Sequence, residues 1–107
     1  MSQALQLLER AFQLARLERE ALRTRNYDQA VKLSEQRQAL MEAARDRLEA
    51  SEHAAYRERL LQLADMQREL TALAREAHQS VLTSLQGTRK QKMRLRGYKQ
   101  VVALSLQ

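Results

Sequence analysis

From Glu52 to Gln86 the chain reads EHAAYRERLLQLADMQRELTALAREAHQSVLTSLQ, with no proline and no glycine. Tyr56, Leu60, Leu63, Leu70, Ala74, Ala77, Val81 and Leu85 recur at spacings of three and four, and Leu61, Met66, Leu73 and Leu82 widen the stripe. That period is helical. Ser51 with Glu52 offers a cap at the start. Gly87 is the first breaker, and it costs only about 1 kcal/mol inside a helix. The pattern therefore predicts one long helix from Glu52 through to Arg96.

Upstream, two shorter helices are expected. Ala4, Leu8, Ala11, Ala15 and Leu22 mark a stripe over 3–24 that Leu5 and Phe12 widen, so the first helix should touch more than one neighbour. Asn26-Tyr27-Asp28-Gln29 then reads as a helix start. Asn26 can accept from the first turn, Gln29 sits at the capping-box position, and Asp28 suits the positive end of the dipole. The second helix should run over 27–48, with Leu33, Arg37, Leu40, Ala44 and Leu48 along one face.

Lengths decide the arrangement. At about 1.5 Å per residue the first two helices are roughly 30–35 Å long, and a helix over 52–96 would reach about 65 Å. Short connections force an up-down-up hairpin. The expected fold is thus all-α, a single domain over 1–107, an antiparallel three-helix bundle whose third helix outruns the others. The remaining tail, 97–107, could form a short C-terminal element. The far half of the long helix must project, meet another chain, or be covered by a fold-back.

Composition agrees. Ala, Leu, Glu, Gln, Arg and Lys dominate, and there is no Ile. These are helix formers, while the β-branched strand formers are scarce. With no Cys, a disulfide scaffold, a Cys-ligated zinc site and a thiol nucleophile are excluded. Met1-Ser2-Gln3-Ala4-Leu5 lacks the basic and apolar regions of a secretory signal, and no apolar run could span a bilayer. A cytoplasmic protein without membrane insertion is the expectation.

No catalytic or metal constellation is legible. His53 and His78 stand apart without ligand spacing, and Gly87 and Gly97 are each isolated, so no phosphate-cradling loop exists. Carboxylates sit beside arginines, as in Glu18-Arg19-Glu20, which reads as a solvated helix face. Neither an enzyme nor a cofactor is expected.

The net charge of +6 is concentrated at one end: after Glu76 come Arg89, Lys90, Lys92, Arg94, Arg96 and Lys99 and no acid. Three readings compete. The cations could complement the C-terminal end of the long helix, dock on an acidic partner, or meet nucleic acid or an anionic surface. Tyr98 is the segment's lone aromatic, which is poor for stacking on bases. The alternation of Lys90, Lys92, Arg94 and Arg96 looks spread around a helix rather than gathered in a stripe. The apolar run Val101-Val102-Ala103-Leu104-Ser105-Leu106 is either a frayed end or an element that folds back on the long helix.

In this order of parts the chain resembles the FliT family of flagellar export chaperones. The likeness rests on Asn26-Tyr27-Asp28, on Ser34-Glu35-Gln36-Arg37-Gln38-Ala39-Leu40-Met41, and on a long third helix finishing in Leu85-Gln86-Gly87-Thr88-Arg89-Lys90, then Tyr98. The resemblance implies a cytoplasmic chaperone that binds the amphipathic C-terminal helical region of the filament-cap protein. It also implies handover to the export ATPase complex and the export-gate protein, and for some members contact with the flagellar transcription regulator. In that family a C-terminal helix can cover the binding surface; here nine residues follow Tyr98, so such an element should be short.

The stripe itself suits an amphipathic client helix, because two short helices cannot cover it. The expected client-binding residues are Leu60, Leu63, Met66, Leu70, Leu73, Ala77 and Val81, with Leu33 and Leu40 from the second helix. Most of these also fit an ordinary bundle core. Val81, Leu82 and Leu85, beyond the short helices, would meet a partner or a second copy in a homodimer. The alternatives are a basic coiled-coil protein for nucleic acid or an anionic surface, and a structural helical oligomer.

Overall fold

The computed structural model describes residues 2–83 and 89–105, with the side chains at 81, 89, 90 and 103–105 left out of the description. Among the described residues there are four α-helices and no strand: α1 (Gln3–Arg23), α2 (Tyr27–Asp46), α3 (His53–Thr83) and α4 (Arg89–Ser105). The all-α hairpin bundle is as expected, and its C-terminal element is a helix of four to five turns. One boundary is corrected. The third helix ends at Thr83 instead of running to Arg96, and the cationic segment begins a helix of its own.

Local chemistry sets the ends. Ser2 caps α1, its hydroxyl accepting from the Leu5 N–H at 3.2 Å. The exit from α1 is a Schellman turn: Asn26 N–H donates to the Ala21 carbonyl at 2.8 Å and Arg25 N–H to that of Leu22 at 3.2 Å. The turn needs a left-handed residue, and Arg25 supplies it at φ 62° where glycine is usual. Asn26 then caps α2 by accepting from Gln29 N–H at 3.4 Å, as its sequence position predicts. Ser51 does not cap α3; it lies inside a short 3-10 turn, Ala50–Glu52, that leads into the helix.

Contacts fix the topology. Glu9 meets Arg59 at 2.8 Å and Arg19 meets Glu69 at 3.3 Å, so α1 and α3 run parallel. Glu18 on α1 meets Arg37 on α2, and Leu8 and Ala44 share a cluster, so those two run antiparallel. α4 touches α2 and α3, and Arg94 pairs with Asp28 at 3.1 Å. The four helices form a square in section, with α1 facing α4 across one diagonal and α2 facing α3 across the other.

The core has two parts. At one end Leu7, Leu8, Ala11, Ala44 and Leu63 pack with Leu60 and Tyr56, drawn from α1, α2 and α3. At the other end α4 joins, adding Leu95, Tyr98 and Val102 to Leu22, Tyr27, Leu33, Met66 and Leu70. The molecule measures 54 × 22 × 19 Å. It is a rod with three helices at one end and four at the other.

Candidate functional site

The expected client surface divides in the structure. Leu33, Leu63, Met66 and Leu70 are buried and hold the bundle together. Leu40, Leu60, Leu73 and Ala77 are half-buried, and Leu82 is 51% exposed on the last turn of α3. The Val81 side chain and Leu85 lie outside the described residues. The apolar stripe of α3 is thus not bare: α4 lies against it, as the fold-back reading of the tail would have it.

α4 covers that seam with one narrow edge. Leu95, Tyr98 and Val102 recur at three and four residues and are buried, whereas Met93, Arg96 and Gln100 on the opposite side are exposed. The Tyr98 hydroxyl reaches across the bundle and donates to Glu18 Oε2 at 3.0 Å. Arg37 completes the cluster from α2, its Nε donating to Glu18 Oε1 at 2.5 Å and a terminal N–H to Ser34 Oγ at 3.4 Å. Glu18, Ser34 and Arg37 are all buried.

Burial pushes the Glu18 carboxyl above its ordinary value, against the opposing pull of Arg37 and of the Tyr98 hydrogen bond. The Tyr98 hydroxyl is pushed upward too, first by burial and then by the neighbouring Glu18 charge, which keeps it a donor. A buried pair of this kind contributes little net stability, but removing one member leaves an uncompensated charge. Its structural effect is positional: three helices are tied at one level, and α4 has one register in which Tyr98 finds its acceptor.

The cationic residues divide as well. Arg89 and Lys90 side chains lie outside the described residues. Arg94 pairs with Asp28 and faces α2. Lys92, Arg96 and Lys99 fall on the opposite flank, toward α3, at the four-and-three spacing of a single stripe. The expected spread of charge holds for Arg94 against Lys92 and Arg96, and it is Lys99 that makes a stripe with the latter two. The dipole reading is corrected: with α3 ending at Thr83, the cationic segment begins a helix instead of ending one, and α4 has no acid in its first turn. There, at Arg89, Lys90 and Lys92, a cation costs on the order of 0.3–1 kcal/mol where an anion would help, while Arg96 and Lys99 lie beyond that turn.

A second apolar opening was not among the expected sites. A groove of about 580 Å³ runs between α1 and α2, lined by Arg10, Gln13, Leu14, Leu17, Gln36, Ala39 and Leu40, with Leu17 55% exposed. The width of the α1 stripe is the sequence signal that points to it. Among the described residues, no helix is long and apolar enough to cross a membrane, and no group of acids or histidines is gathered as metal ligands. No family model, curated protein or solved structure matches the chain.

Proposed function

We propose that the protein is a FliT-like flagellar export chaperone, acting in the cytoplasm, that receives the amphipathic C-terminal helix of the filament-cap protein in the seam under α4. One observation carries this reading: the chain's own last helix already occupies that seam, and among its described side chains Leu95, Tyr98 and Val102 are the buried ones. A client helix with apolar residues at the same spacing would bury an equivalent edge and replace it. The beds it would meet are Leu33 on α2 and Met66 and Leu70 on α3, three of the residues expected from the sequence. On this reading the loaded chaperone passes its client to the export ATPase complex and the export-gate protein, with the flagellar transcription regulator as a further partner.

The test is a calorimetric titration of the whole chain with the cap protein's C-terminal segment. Binding at or below tens of micromolar is expected, a strength of about 6 kcal/mol or more. Leu95→Asp should tighten it by weakening the resident helix, and Leu17→Asp, in the α1–α2 groove, should leave it unchanged. Absence of binding by both the wild type and Leu95→Asp removes the proposal. Loss through Leu17→Asp alone would move the client to the other groove.

A further inference from the structure

We infer that the flank of α4 facing α3 is a second docking surface, whose occupant is an acidic helix of a protein partner. Lys92, Arg96 and Lys99 line one side of it. On α3, Arg75 is a further exposed cation. Arg68, Thr71, Ala72 and Arg75 line a shallow cleft of about 280 Å³ on α3 itself. Arg68 is occupied by Asp65 at 2.5 Å, but Lys92, Arg96, Lys99 and Arg75 form no ion pair among the described residues. No acidic residue follows Glu76 in the chain, so nothing on α4 itself can neutralise them.

The placement of these charges is unfavourable for the isolated fold. Lys92 and Arg96 are four residues apart and Arg96 and Lys99 three, so like charges crowd along one side of the helix, and among the described residues only Arg94 is relieved by a carboxylate. A partner that brings carboxylates removes the repulsion, because each one meets a cation.

Shape selects the class of partner. Lys92 and Lys99 are separated by two turns, about 10 Å, so glutamates at matching spacing on one helix can meet all three cations. Nucleic acid is disfavoured because Tyr98, the aromatic of α4, is wholly buried and offers no face to bases. A lipid surface is disfavoured because Met93, 62% exposed, is the one large apolar side chain that α4 exposes among its described side chains. This inference does not rest on the client seam, since α4 stays docked throughout.

The experiment is fluorescence anisotropy on the full chain near physiological salt. The probe is a labelled helical peptide of about 20 residues with glutamates along one face, beside its glutamine counterpart, a short DNA duplex and vesicles containing phosphatidylserine. The acidic peptide should bind and its glutamine version should not. Lys92→Glu/Arg96→Glu/Lys99→Glu should weaken binding at least about tenfold while keeping or raising the melting temperature. The triple glutamine variant should weaken it less. Acidic-peptide binding that is absent, or that survives the reversal with the helical spectrum intact, overturns the inference. Tighter binding of DNA or vesicles, lost on the same reversal, overturns the choice of partner.

Discussion

Arg25 occupies a position that chemistry would give to glycine. Its φ of 62° closes the Schellman turn after α1, and its guanidinium donates to Ser80 Oγ at 3.2 Å. Left-handed backbone costs a residue with a Cβ about 1 kcal/mol, more than an exposed hydrogen bond of this kind returns. Arg25→Gly should therefore raise stability by about 0.5–1 kcal/mol, read from the urea midpoint. Glu18 and Arg37 behave in the opposite way. Arg37→Met strands a buried carboxylate and should cost about 3–5 kcal/mol, while Glu18→Leu with Arg37→Met should cost clearly less than the single change. Equal losses from the single and the double variant would show that the pair acts through packing alone. Asn26 as a cap could be seen from the sequence, because capping depends on neighbours in the chain. The Glu18 cluster could not: Glu18 sits in a run of charged residues, and only the arrival of Arg37 and Tyr98 from other helices makes it an interior group.

At the scale of the element, α4 is the part that the sequence conceals. Periodicity continues up to Leu85, and neither Gly87 nor Gly97 enforces a stop, so a single helix over 52–96 satisfied every local rule. What favours a separate helix is tertiary: Leu95, Tyr98 and Val102 gain burial only when they lie against α2 and α3. This dependence gives α4 a low local stability. Leu95→Asp should abolish protection from amide exchange across 89–105 while leaving α1 to α3 protected. Joint loss of protection in all four helices would mean that the bundle folds and opens as one unit.

Across the whole molecule, the two core clusters differ in what shields them. Tyr56 and Leu60, at the three-helix end, are only half-buried, whereas Tyr98, Leu95 and Leu70 at the four-helix end are wholly enclosed. Opening should begin at the thinner end. Amides over 55–62 should exchange faster than those over 66–74 of the same helix, and uniform rates along α3 would contradict this. The expected client residues follow the same gradient: the apolar set was legible from spacing, but which members are enclosed depends on where α4 lies. Arg59 and Glu69, ten positions apart on α3, meet Glu9 and Arg19, ten apart on α1, with opposite signs at the two levels. Were α3 turned end for end, Glu9 would confront Glu69 and Arg19 would confront Arg59. Two modest surface contacts thus carry directional information, repelling the inverted assembly before any hydrophobic side chain has to discriminate.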